Sequence, residues 1–244
     1  MIFSVSWFIA ALAVTLATIL QAITGFGTAL VLVPLLVLVY DAHTAVIMTM
    51  FISICSSVAL TGRVYKSILK PVLRNLFLGS IAGIPLGAFV FLHFDVMRLK
   101  IAIALVTMVF ALALILGWIP RRTAGFWAEA ATGACGGFLA ASVGMPGPPV
   151  VLFLNHQDVP KEQFRATTTA YGILVYPIGL ILLWFLQVLE KQIIWMVLSL
   201  LPFILLGQVL GCGIFPRVSQ GLFQRGVPLL VMAIALYTLV TTVF

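Results

Sequence analysis

The chain has 244 residues, of which 63% are hydrophobic and 8% charged, and its mean hydropathy is +1.25. Soluble domains carry roughly 25% charged residues, so this composition excludes a soluble globular protein and defines an integral membrane protein. The net charge of +7 is no nucleic-acid footprint, because the basic residues collect in short links between apolar segments, where they act as topology determinants.

Ten apolar runs follow in chain order: residues 2–21, 28–40, 43–62, 71–92, 99–118, 125–142, 148–155, 163–187, 192–214 and 223–243. The first has no basic stretch before it and no small-residue cleavage site after it, so it is expected to stay rather than leave as a signal peptide. It ends in a helix break, Thr24-Gly25-Phe26-Gly27-Thr28, and a second break, Ser142-Val143-Gly144-Met145-Pro146-Gly147-Pro148-Pro149, follows the sixth run. About 20 helical residues cross the hydrocarbon core. Six runs are long enough to do so alone, and the other four form two pairs around the breaks, each with one short piece.

The two halves correspond beyond the breaks. Gly25 and Gly144 match at an offset of 119, and Gly79-x3-Gly83 matches Gly207-x3-Gly211 at an offset of 128. This is the pattern of an internal duplication, with an N-terminal repeat over 1–120 and a C-terminal repeat over 121–244 in one transmembrane domain. The spaced glycine pairs are read as helix-packing positions. Each repeat is then a broken pair followed by three spans. If the pairs are re-entrant, ten of the 13 lysines and arginines fall in cytoplasmic links and three outside; if they cross, the split is seven to six. The positive-inside rule prefers re-entrant pairs. Three crossings per repeat, an odd number, invert the second repeat relative to the first and place both termini outside the cell membrane. The expected fold is therefore all-α, with two inverted repeats. Trp7, Trp118, Trp127, Trp184 and Trp195 fall near segment ends, as an interfacial belt requires.

Unwound backbone inside a membrane is tolerated where it is buried in protein or lines a cavity, so paired breaks point to a transporter's binding site. Each short piece begins a helix whose first turn has unpaired N–H groups and a partial positive charge, which favours an anion. Thr24, Thr28 and Ser142 add hydroxyls; Gly25, Gly27, Gly144 and Gly147 let backbone approach a ligand; Pro148 and Pro149 suit a first helical turn. The candidate substrate-binding set is Thr24, Gly25, Phe26, Gly27 and Thr28 from the first break, Ser142, Gly144, Met145, Pro146, Gly147 and Pro148 from the second, and Thr168 and Tyr171 beyond it. Gln21, Thr49, Ser53, Ser56, Ser57, Thr167, Thr169 and Gln208 are further polar residues within spans.

The six acidic residues, Asp41, Asp95, Glu129, Asp158, Glu162 and Glu190, all sit near segment ends, which argues against a cation substrate; Glu129, one turn inside its run, is the exception to watch. Arg165 reads as a topology anchor or as an attractor for an anion. Cys55, Cys135 and Cys212 lack metal or redox spacing and are read as packing residues, and His43, His93 and His156 as interface residues. No zinc, Walker or nucleophile-elbow motif is present, so neither an enzyme nor a cofactor is expected.

At the breaks the chain resembles the sulfite exporter TauE/SafE family. The matching stretches are Gly25-Phe26-Gly27 leading to Val31-Leu32-Val33-Pro34-Leu35, then Gly144-x2-Gly147-Pro148-Pro149 leading into an apolar half-helix, then the Ala166-Thr167 helix start. Thr28, Ala29 and Met145-Pro146 depart from the family's pattern. The resemblance implies export or uptake of sulfite, sulfonates such as sulfoacetate, or related sulfur and carboxylate anions. It agrees with the anion reading of the breaks: a secondary transporter of a small anion, with the lipid bilayer as its setting and no nucleic acid. A homo-oligomer is left open. The alternatives are a passive anion channel and a non-transporting assembly subunit.

Overall fold

The computed structural model describes residues 5–116, 125–157 and 159–214. The last apolar run, the repeat boundary at 120/121, Trp118, Arg121, Arg122, Asp158, Arg217 and Arg225 lie outside the described residues. Within them all regular structure is helical: α1 (Val5–Thr24), α2 (Thr28–Val37), α3 (Ala42–Val64), a 3-10 turn (Tyr65–Ser67), α4 (Lys70–His93), α5 (Val96–Ile115), α6 (Phe126–Val143), α7 (Gly147–His156), α8 (Lys161–Phe185) and α9 (Lys191–Ile214). Six of these, α1, α3, α4, α5, α8 and α9, are long and apolar enough to cross a membrane. That set includes α1, whose 20 residues rise about 30 Å, the thickness of the hydrocarbon core.

The first helix turns mostly small residues inward and large ones outward. On α1, Val5, Phe8, Leu12 and Leu16 face outward at helical spacing, while Ala10, Ala13, Val14 and Ala17 face the interior. This is the arrangement of a bundle set in lipid, where close backbone approach rather than water exclusion joins helices. α2, by contrast, is buried at every position except Leu35, as a helix apolar all round must be.

Packing follows the glycines. A Cβ at Gly79 or Gly83 of α4 would overlap the carbonyls of Ala130 or Ala134 on α6, and one at Gly133 or Gly137 of α6 would overlap the backbone of Leu76 or Ser80 on α4. The second matched pair does the same work on the other side: Gly207 and Gly211 of α9 lie against Thr15, Thr18, Ile19 and Ala22 of α1. Among the described helices several contacts recur when the two halves are exchanged: α1 packs on α9 as α6 packs on α4, α3 touches α9 as α8 touches α4, and α3 and α8 touch each other.

Two readings from the sequence need correction. Trp7 is buried rather than interfacial; its Nε1 donates to Ser199 Oγ at 2.8 Å and its ring packs edge-on against Phe203, joining α1 to α9. Trp127, Trp184 and Trp195 are exposed. Cys135 is also exposed, on the outer face of the α4–α6 seam, so it is not a core packing residue.

Candidate functional site

The first break forms because Gly25 and Gly27 hold φ of +81° and +99°, conformations that side chains resist. Just before them, Thr24 holds the turn: its hydroxyl accepts the Phe26 N–H at 3.0 Å and donates to the Phe26 carbonyl. The second break uses Gly144, φ +73°, which returns the Met145 N–H to the Leu139 carbonyl at 3.0 Å and so closes the end of α6. Each break is followed by a helix of 10 residues, about 15 Å long and half the depth of the core.

α8 crosses directly behind the first break. A Cβ at Gly25 would lie 2.6 Å from the Cα and carbonyl oxygen of Arg165, and Thr169 Oγ1 sits 3.2 Å from the Gly25 carbonyl. The three consecutive threonines thereby divide their roles. Thr167 Oγ1 accepts the Leu69 N–H at the start of α4, Thr168 faces the break, and Thr169 bonds it.

The breaks meet. A Cβ on Gly147 would stand 4.0 Å from the Cβ of Phe26, and a cavity of about 30 Å³ opens between the two tips, more than the 10–15 Å³ or so that one water needs. Of the residues singled out from the sequence, Gly25, Phe26, Gly27, Thr28, Pro146, Gly147, Pro148, Thr168 and Tyr171 line it. Gln21 from α1 and Ser53 and Ser57 from α3 join them. Thr24, Ser142, Gly144 and Met145 do not. Thr24 braces the turn, Ser142 Oγ donates to the Phe138 carbonyl at 2.7 Å, and Met145 is fully buried with its sulfur 3.7 Å from Thr107 Oγ1. Gly144 instead offers its carbonyl to Tyr176 Oη at 3.4 Å. Ala29, Leu30, Val150, Gly172 and Tyr176 complete the wall. Their membership follows from tertiary packing; as apolar or aromatic residues within helices they carry no sequence signal.

The wall mixes hydroxyl and amide groups with apolar side chains. Among the described residues that line it there is no Lys, Arg, His, Asp or Glu. Gln21 Nε2 donates to Ser57 Oγ at 2.8 Å, and neither Gln21 Oε1 nor Thr28 Oγ1 has a hydrogen-bond partner among the described residues. Tyr171 reaches from the cavity into the α4–α6 seam, where its hydroxyl meets Ser80 Oγ at 2.8 Å and the Gly133 carbonyl at 3.2 Å. Arg165 is buried and directs Nη2 towards Cys212 Sγ on α9, 3.6 Å away, rather than into the cavity.

Glu129 is the buried carboxylate of this region. It accepts a hydrogen bond from Asn75 Nδ2 at 2.6 Å, and Asn75 Oδ1 in turn sits 3.4 Å from Arg74 Nε. The other described acidic residues, Asp41, Asp95, Glu162 and Glu190, are exposed.

A bundle of membrane-length helices, apolar on the outside and holding a polar cavity where two half-helices begin, is a multi-pass membrane protein built around a buried site. The chain belongs to the sulfite exporter TauE/SafE family, which it matches over residues 10–238. Membership makes it a membrane transporter of the sulfite-exporter class rather than a member of an enzyme family. No curated protein and no solved structure matches the chain.

Proposed function

We propose that this protein is a secondary transporter that exports a small sulfur-containing anion, sulfite or a sulfonate, across the cell membrane by alternating access. The observation that carries this reading is the meeting of the two breaks at one uncharged, hydroxyl-lined cavity. A helix start there offers N–H donors and a partial positive charge to an anion without burying a counter-ion.

The broken pairs are proposed to be re-entrant and the two repeats inverted, with both termini outside. The distribution of lysines and arginines supports this, and so does the recurrence of the α1–α9 contact as α4–α6 and of α3–α9 as α4–α8 when the halves are exchanged. In an inverted repeat the two half-helices enter from opposite sides and meet near the midplane. A substrate held between them is exposed to one side or the other as the surrounding helices rearrange.

The test is thermal stabilisation of the purified protein by sulfite, thiosulfate, sulfoacetate, taurine, sulfate, acetate and simple cations. Ligand at a hundredfold over its Kd stabilises the native state by about 2.7 kcal/mol. The expected result is a rise in Tm confined to sulfur oxyanions or sulfonates. A rise with cations only, or with nothing in the panel, sinks the reading and returns the breaks to structural kinks.

A further inference from the structure

α2 and α7 match in length and in position, yet their first turns differ in what they offer an anion. An α-helix leaves the N–H groups of its N-cap and first three residues without an intrahelical acceptor. In α2 these belong to Gly27, Thr28, Ala29 and Leu30, and the helical ladder opens only with Val31 N–H to the Gly27 carbonyl, at 3.2 Å. In α7 the same four places are Pro146, Gly147, Pro148 and Pro149. Proline has no N–H, so α7 presents a single amide where α2 presents four.

The side chains are divided in the same way. Thr28 at the start of α2 and Gln21 just before the break are 2% and 4% exposed, and each lines the cavity with an oxygen that has no hydrogen-bond partner among the described residues. From the second break and α7, the wall receives Pro146, Gly147, Pro148 and Val150, none of which has a hydrogen-bonding side chain.

We propose that recognition is one-sided: the anionic head seats on the N–H groups of α2 and the Thr28 hydroxyl, and the remainder of the ligand lies against the donor-poor tip of α7. A helix start is equivalent to about half an elementary charge, and among the described residues no charged side chain lines the wall. The site therefore takes an anion with one charged head and a neutral or apolar remainder. A second charged group at the α7 end would be buried against proline rings with one amide to meet it, an uncompensated burial. Arg165 is not among the residues of the wall; its Nη2 lies 3.6 Å from Cys212 Sγ on α9. The inference rests on the anion-transport reading and narrows its substrate class to anions with a single charged head.

The experiment compares isethionate with sulfoacetate, which share a sulfonate head and a two-carbon length and differ in ending with a hydroxyl or a carboxylate, using sulfite as reference. Apparent Kd is taken from thermal stabilisation of the purified full chain. Isethionate is expected to bind about tenfold more tightly than sulfoacetate, the scale of one lost charge-assisted hydrogen bond. Pro148→Ala, which restores an amide at the α7 tip, is expected to narrow that ratio, and Thr28→Val to weaken both ligands alike. Sulfoacetate binding as tightly as isethionate to the unmodified protein overturns the inference. So does binding of sulfite with neither sulfonate, since the site then admits no remainder, and so does a Thr28→Val protein with unchanged affinities. If sulfite and both sulfonates all fail to bind, it is the anion-transport reading itself that falls.

Discussion

Gly25 and Gly147 occupy the two breaks under different constraints. At Gly25 the backbone holds φ +81° and an added Cβ would lie 2.6 Å from Arg165 Cα; the conformation alone costs a side chain about 1–2 kcal/mol, and the overlap is with backbone that cannot step aside. At Gly147 the nearest atom is 4.0 Å away and φ is not positive. Gly25→Ala is therefore expected to lower the Tm of the solubilised protein markedly, while Gly147→Ala leaves it within about 0.5 kcal/mol of the original. Thermal unfolding followed by tryptophan fluorescence separates the two. In the link before α3, Asp41 caps that helix, its Oδ1 accepting the Thr44 N–H at 3.0 Å. Partial burial pushes this carboxyl up, but hydrogen bonds from the Thr44 side chain and N–H, with His43 beside it, outweigh burial and hold its pKa below the ordinary value. A depressed folded pKa contributes stability that is present above the unfolded value of about 3.9 and is lost as pH falls through the folded one. Asp41→Ala is expected to cost about 1 kcal/mol near neutral pH, and the difference between variant and parent to shrink below about pH 4; Tm measured against pH reads it.

The α4–α6 seam shows an element whose neighbours fix its chemistry. Helix backbones close enough to exclude a methyl group at Gly79, Gly83, Gly133 and Gly137 also bring Asn75 against Glu129 and Ser80 against Tyr171. Replacing Asn75 by Leu strands a buried carboxylate and is expected to cost about 1.5–3 kcal/mol, whereas Glu129→Gln keeps an acceptor for the Asn75 amide and costs less. Equal losses of Tm in the two variants would count against the carboxylate being held by Asn75. The half-helices were legible in the sequence because glycine and proline interrupt apolar runs at Gly25 and Gly144, and the glycine pairs on α4 and α9 were legible as packing positions. The pairing of α1 with α9 was not. Trp7 near a helix end carries the same signal as an interfacial tryptophan, and only the arrival of Ser199 and Phe203 from α9 buries it. Tyr176 and Gly172 line the cavity for the same kind of reason: the rotation of α8 about its axis, set by its packing on α3 and by Gly25 behind it, decides which of its residues face the breaks.

Across the whole molecule, the distance between the tips offers a direct test of motion. Cβ positions at residues 26 and 147 stand 4.0 Å apart, inside the 3.5–4.5 Å or so that a disulfide spans. With Cys55, Cys135 and Cys212 replaced, a Phe26→Cys/Gly147→Cys protein is expected to crosslink on oxidation and to stop transporting in proteoliposomes, with flux returning on reduction. Crosslinked protein that still transports at the parental rate would mean the tips do not separate. The packing of α1 on α9 and of α4 on α6 also has a consequence for how the chain is made. Its most intimate helix pairs each take one partner from early and one from late in the sequence: α4 waits for α6, and α1 waits for α9. During synthesis, which delivers the N-terminal part first, the small-residue faces of α1 and α4 stand in lipid without the surfaces they fit. A ribosome stalled after α5 therefore leaves a product that lacks both mates, and maturation of the first half is timed by the emergence of the second.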